Sequence, residues 1–370
     1  MPEPIRVLQM VGNLGYAGLE TVVMNYYRFM DRKRVQFDFI VCSQSRQNYD
    51  DEVERLGGRI WRLPHRLRHP LAYTRALTEL FLNHPEYRIF HCHANSAGCA
   101  VDLRAARRCG VPVRIAHSHN TTCVVKWQHY LLKPLLRAQP THRFACSRAA
   151  GVWLFGERAV AQDLQVLPNA VDTARFAFDA DARRRIRGEF GLGNAVVLGN
   201  VGRLHPQKNP GFLLDIFHAY HARQPDSFLL LAGDGPELEA LRQKAAALGI
   251  TDRVRFAGKR DDVPALLSAM DFFVTPSVAE GLSLAAVEAQ ASGLSCLASD
   301  TVTDETRVTN RLAFMSLSQS PEQWAQRLLE QAPAADRTAA VEEVRAAGYD
   351  LADCAKRLES FYLGLAVSGR

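Results

Sequence analysis

Short apolar, β-branched runs alternate with longer stretches whose apolar positions recur at helical spacing, and this alternation persists from one end of the chain to the other. The pattern predicts strands over 5–11, 36–41, 59–63, 89–93 and 111–116, separated by helices over 19–30, 50–56, 71–84 and 96–109, the last stopped by Gly110. The 111–116 strand should deliver His117, His119 and Asn120 to the loop beyond its carboxyl end. A strand running into a linker over 164–172 and an Arg-rich helix over 181–190 lead to a second series. Its predicted strands are 195–201, 228–232, 254–256, 270–275 and, as the last, 294–298; its helices are 237–248, 263–270 and 282–291. A helix over 349–365 closes the chain. Strands alternating with helices of this length imply βαβ units on parallel sheets, whose ligands sit outside the carboxyl ends of the strands.

The length, 370 residues, suits two domains, and 47% hydrophobic with 23% charged residues is ordinary globular composition. No run approaches 18 consecutive apolar residues, and the N-terminus leads straight into a strand-like segment, so a cytoplasmic location is expected. Eight cysteines without a C-x-x-C pair read as reduced, buried thiols. His91-Cys92-His93 invites a metal reading; lacking a second half in the sequence, it reads instead as a strand end, and no metal is expected. Residues 1–170 carry 23 Lys and Arg against 13 Asp and Glu, whereas residues 171–370 carry 22 against 26. The basic half is therefore where an anionic partner belongs. Its two densest stretches, 59–69 and 126–137, mix cations with Trp, Leu and Tyr, which suits an anionic membrane surface better than nucleic acid.

Candidate chemistry concentrates in three loops. Gly12, Gly15 and Gly18 precede the first long helix without forming G-x-G-x-x-G, which argues against a nicotinamide-dependent dehydrogenase yet leaves room for a phosphate near the backbone, or simply for helix–strand packing. After the 195–201 strand come Gly202, Arg203, Lys208 and Asn209, with two cations able to straddle a pyrophosphate. After the 270–275 strand, Glu280 and Glu288 bracket Gly281 and a helix start, where backbone N–H groups of Leu282, Ser283 and Leu284 offer an anion site. Spacing alone leaves open whether these two glutamates are solvated carboxylates at an ordinary βα turn. Asp261-Asp262 reads as a helix cap.

Taken together, Gly202-Arg203…Lys208-Asn209, 231–236, Pro276-Ser277…Glu280-Gly281 and the E-x7-E pair resemble the glycosyltransferases of family 4; 12–20, 90–93, 115–120, 145–148 and 167–172 extend the similarity over nearly the whole chain. The wording around Glu288 and 299–305 is most similar to the exopolysaccharide and capsule branch. The resemblance implies a GT-B architecture, two Rossmann-like domains with parallel sheets facing across a cleft: an acceptor-side domain of 1–167 plus 350–370 and a donor-side domain of 168–349. It implies retaining, metal-independent transfer from a nucleotide-diphospho-sugar, a UDP-sugar, to a saccharide or lipid-linked acceptor at the inner face of a membrane. Arg203 and Lys208 would neutralise the diphosphate, Glu280 would meet sugar hydroxyls, and Glu288 the ribose. Gly18, Gly202, Asn209, Gly281, Leu282, Ser283 and Leu284 would line the donor, with His117 or His119 near the sugar. Tyr16-Ala17-Gly18 departs from the glycine pair usual in the family. An epimerase of the same architecture, and a non-catalytic nucleotide-sugar-binding subunit, are the alternative readings.

Overall fold

In the computed structural model, which describes residues 3–368 apart from Ala17, Val124, Gly281 and Ala335, the alternating pattern resolves into two parallel sheets. Contacts divide the chain into one unit of Met1–Asn169 with Leu351–Arg370 and a second of Ala170–Asp350.

The first unit holds β1 (Ile5–Gly12), β2 (Val35–Val41), β3 (Ile60–Arg62), β4 (Ile89–Ala94), β5 (Val113–Ser118), β6 (His142–Ala145) and β7 (Leu164–Val166), in the order 3-2-1-4-5-6-7. Every pairing described is parallel, and the chain changes direction across the sheet between β1 and β4. The terminal helix Leu351–Ser368 packs on the helix Gly18–Phe29 and on this sheet. Its Tyr362 is fully buried edge-on to Phe37, and its Glu359 accepts from the Asp31 backbone N–H at 3.0 Å.

The second unit holds β8 (Val196–Val201), β9 (Ser227–Ala232), β10 (Val254–Gly258), β11 (Phe272–Thr275), β12 (Ser295–Ser299) and β13 (Leu312–Met315), in the order 10-9-8-11-12-13. Both faces are covered, which is why the strands read as unbroken apolar runs. Val197, Phe228, Leu230, Phe273 and Cys296 enter one core, and Leu198, Leu229, Leu231, Phe272 and Leu297 the other, as a period of two requires. The strand β13 lies beyond 294–298, which was expected to be the last. Its four residues sit at the sheet edge and are mostly half-buried, too short and too exposed a run to stand out in the sequence.

The carboxyl ends of β8 and β9 approach so closely that only glycine fits. A Cβ on Gly233 would lie 1.8 Å from the Gly202 carbonyl oxygen, and one on Gly235 would lie 2.2 Å from that of Leu204. This contact fixes where the loop after β8 leaves the sheet. Gly233→Ala should therefore cost at least ~3 kcal/mol by overpacking against backbone. Gly188→Ala, in open space within the helix Ala180–Phe190, should be neutral or stabilise by ~1 kcal/mol. Thermal unfolding followed by circular dichroism compares the two; equal midpoints would refute the steric reading.

Candidate functional site

The topological switch point of the second sheet lies between β8 and β11, and the loops that leave these two strands carry most of the polar candidates. The first is shaped locally. His205 Nδ1 accepts from the Gln207 N–H at 3.2 Å and caps a single 3-10 turn, Pro206–Lys208. Asn209 follows with φ 54°, the one positive-φ non-glycine among the described residues, and turns the chain into the helix Pro210–His221. Lys208 is thereby presented to the neighbouring loop, where its ammonium pairs with one oxygen of Glu280. The other Glu280 oxygen accepts from Ser277 Oγ at 2.9 Å. Gln207 staples the same loops twice: Val278 N–H donates to its carbonyl at 2.8 Å, and its side-chain amide donates to the Ala279 carbonyl at 2.7 Å. Ser299, the last residue of β12, and Thr301, just beyond it, both donate to the Ser277 carbonyl. Lys208 and Glu280 are thus partly buried and held from three strand ends.

Arg203 is exposed and has no ion pair among the described residues, so the two cations of this loop are in different states. The helix expected over 282–291 begins at Leu284. Ser283 is extended, and its N–H is taken by Thr306 Oγ1 at 3.3 Å, so that donor is not available to an anion; its hydroxyl oxygen is buried without a partner. Leu282 and Leu284 pack half-buried against the core, and Gly281 lies outside the described residues. Asp262 precedes the helix Val263–Ala269 but makes no side-chain cap, contrary to expectation, because both its oxygens accept from Arg260, at 2.7 and 2.9 Å.

In the first unit the strand β5 runs two residues further than expected, because it pairs with β4 along its whole length. His117 is therefore on the strand, 1% exposed, and not in the loop. The register sets His93 beside His117, which gives the His91-Cys92-His93 segment the second half that the sequence did not reveal. Ring nitrogens of His91, His93 and His117 lie within 4.8 Å of one another, a group able to ligate a metal ion. In this structure their nitrogens are engaged with one another and with His119: His91 Nε2 lies 3.1 Å from His117 Nδ1, and His93 Nδ1 lies 2.8 Å from His119 Nε2. Gly18 opens the helix Gly18–Phe29 with open space where a side chain would project.

Two family models match the chain, Glycosyltransferase Family 4 over residues 16–175 and Glycosyl transferases group 1 over 195–332. EpsF of Bacillus subtilis, assigned as a glycosyltransferase, is 34% identical over 89% of this chain and 88% of its own. The chain belongs to glycosyltransferase family 4. A second relative, the UDP-Gal:alpha-D-GlcNAc-diphosphoundecaprenol alpha-1,3-galactosyltransferase of Escherichia coli, is 30% identical over 59% of each chain. HepE of Anabaena, solved in complex with UDP, superposes with a TM-score of 0.76 at 19% identity, covering 97% of this chain and 99% of that one, and shares the GT-B fold. The protein is accordingly a glycosyltransferase of GT-B type.

Sequence reasoning on this family 4 chain picked out Lys208 and Glu280, which the structure brings into contact, but gave no role to Ser277, Gln207, Ser299 and Thr301, which hold them. Nothing in one sequence ties Thr301 to a loop 24 residues earlier. Glu288 is part-buried in the helix Leu284–Ala291, and its carboxyl group has no hydrogen-bond partner among the described residues. Burial pushes its carboxyl from 4.5 up to about 7, with the positive charge of Arg175 opposing the rise. A carboxyl raised in the folded state holds its proton longer there than in the unfolded chain. Its contribution is thus fully present below about 4.5 and lost as pH climbs through about 7. Between pH 5 and 8, Glu288→Gln should gain stability on the parent by up to ~3 kcal/mol, taking ~1.4 kcal/mol per unit. Denaturant titrations at the two pH values measure the gain, and a pH-independent difference would contradict the burial argument.

Proposed function

We propose that this glycosyltransferase is a retaining, metal-independent enzyme that transfers a sugar from a UDP-sugar to a saccharide or lipid-linked saccharide in the synthesis of an exopolysaccharide or other surface polysaccharide. The observation that carries this reading is the Lys208–Glu280–Ser277 cluster at the β8/β11 switch point, with Arg203 open beside Gly202. Lys208, resting on Glu280, is a cation kept in place for a diphosphate. When the sugar–phosphate bond breaks, Lys208 and Arg203 meet the charge that develops on the leaving group, and preorganised charge of this kind is usually the largest catalytic contribution. Glu280, released from Lys208 by the phosphate, turns an acceptor oxygen to sugar hydroxyls. Glu288, unpartnered, accepts from the nucleotide ribose. Gly202, Asn209, Leu282, Leu284 and the orphan Ser283 hydroxyl complete the donor contacts within residues 168–349, and Gly18, His117 and His119 belong to the acceptor-side residues 1–167 plus 350–370. A UDP donor and a lipid-linked acceptor accord with the name of the Escherichia coli relative, and its α linkage accords with retention from an α-linked donor.

Lys208→Ala and Glu280→Ala should each lower turnover about a hundredfold or more while leaving the unfolding midpoint of the chain near that of the parent. Transfer from radiolabelled UDP-sugar, measured with both variants, checks this; near-normal rates in both would sink the assignment.

The membrane reading narrows to one helix. In the 59–69 stretch Arg59, Arg62 and Arg66 are engaged by Glu86, Asp50 and Asp102, so its cations are largely spent inside the protein. The helix Lys126–Leu136 instead exposes Trp127, Tyr130 and Leu131, at 70%, 59% and 67%, next to Lys126. Its inner face is pinned by His129, which stacks on Trp153 and accepts from the Ala97 N–H at 3.2 Å. No helix of the described residues is long and apolar enough to cross a membrane. Peripheral docking on the inner leaflet by this helix predicts flotation with liposomes rich in anionic lipid, weakened by salt and reduced at least tenfold in Trp127→Ser/Leu131→Ser. Flotation of the variant equal to that of the parent would place the contact elsewhere.

A further inference from the structure

Six polar side chains of the first unit line a cavity of about 10 Å³: Gln9 on β1, His91 and His93 on β4, His117 on β5, His119 just past its end, and Tyr362 on the terminal helix. That volume holds one particle the size of a water molecule. Alternation along a strand puts His91 and His93 on one face of β4, and the parallel register sets His117 beside His93. Three imidazoles therefore meet across two strands. The rings of His91 and His93 stack 4.4 Å apart between centroids, and those of His91 and His117 lie 5.2 Å apart. No carboxylate or thiol is among the described residues that line this cavity.

A histidine metal site needs lone pairs that converge and N–H groups that point outward to acceptors. His93 Nε2 lies 2.8 Å from Gln9 Oε1, an atom that can only accept, so the His93 proton is on Nε2 and its Nδ1 carries a lone pair. His91 Nδ1 lies 2.7 Å from the Tyr362 hydroxyl, whose oxygen accepts from it when His91 Nε2 is the bare nitrogen. His91 Nε2 is in turn 3.1 Å from His117 Nδ1. Around a tetrahedral zinc ion with bonds of about 2.0–2.1 Å, ligand nitrogens stand about 3.4 Å apart. The His91–His117 pair thus has to part by only ~0.3 Å to admit the ion. Ring nitrogens of all three residues lie within 4.8 Å of one another, so no pair has to close by more than ~1.4 Å. His117 Nε2, where a ring ligating through Nδ1 keeps its proton, is buried without a partner.

We propose that His91 Nε2, His93 Nδ1 and His117 Nδ1 bind one zinc ion, or a first-row ion of like ligand preference, with Gln9 and Tyr362 as positioning residues that fix the tautomers of His93 and His91. Imidazoles suit zinc, copper and nickel, and the lack of oxygen ligands disfavours magnesium and calcium. No proton leaves the protein on binding. The one between His91 Nε2 and His117 Nδ1 moves to the other nitrogen of its own ring, His91 Nδ1 or His117 Nε2. His119 Nε2 gives up its 2.8 Å contact with His93 Nδ1, which its place past the end of β5 allows. The transfer proposed above uses no metal, so the ion ties β4 to β5 and takes no part in that chemistry. The site stands whether or not that reading does.

The whole protein, stripped with a chelator and dialysed against Zn(II) alone, should take up one zinc per chain and unfold at a higher temperature. Co(II) in its place should show the visible bands of a tetrahedral ion bound by nitrogen, without the near-ultraviolet bands of a thiolate, which separates this site from the eight cysteines. His93→Gln should weaken zinc by about 100-fold or more, and Gln9→Ala, which keeps every ligand, by about 10- to 100-fold, with circular dichroism confirming that both fold. His91 and His117 are buried in the core, so their part is read in the parent. Zn(II) should move the ring 15N resonances of His91, His93 and His117 together and leave those of His129, stacked on Trp153, in place. Uptake that is not stoichiometric, thiolate bands with cobalt, parental affinity in both variants, or unmoved ring resonances at saturating zinc would each overturn the site.

Discussion

All described strand pairings in this protein are parallel, and that one constraint organises the rest. Parallel strands put all their carboxyl ends on one edge of a sheet, and a reversal of strand order opens a gap between two outgoing loops. In the second unit the gap falls between β8 and β11. Gly202 to Lys208 and Pro276 to Glu280 leave the sheet side by side there, and Gln207 ties them together. In the first unit it falls between β1 and β4, and the residues at that edge are Gln9, His91 and His93, with His117 one strand further.

What each edge holds is charge or hydrogen-bond polarity fixed before a ligand arrives. Lys208 and Glu280 are partly buried, where attraction is stronger than at a free surface, and Ser277 keeps the carboxylate from swinging away. The histidine edge is without charge: burial holds His91 and His119 down to about 3, and the rings hydrogen-bond to one another as neutral groups. Each edge also leaves polar atoms unsatisfied, the Ser283 hydroxyl in one and His117 Nε2 and His119 Nδ1 in the other.

Much of this was legible in the chain. Periodicity located most strands within two residues, and the family 4 motifs pointed to Lys208 and Glu280 as residues of one site. Boundaries failed where a tertiary partner moved them. Pairing with β4 drew β5 on to Ser118, and Thr306 held Ser283 out of the helix. The cap expected at Asp262 was lost to Arg260, two residues away, whose fork matches both carboxylate oxygens. The basic stretch 59–69 looked like a surface, yet three of its arginines reach acids at sequence distances of 12 to 36 residues.

By itself the sequence determined the alternation of strands and helices, the two-part organisation, and the residue types gathered at strand ends, because these depend on local periodicity and on short motifs. The tertiary structure alone decided partnership. Strand order set Lys208 against Glu280 across 72 residues, and register set His91 and His93 beside His117 and His119. The final helix brought Tyr362 to His91 across 271 residues. Such contacts depend on how distant strands pair and pack, and no local pattern of hydrophobic and polar residues carries that information.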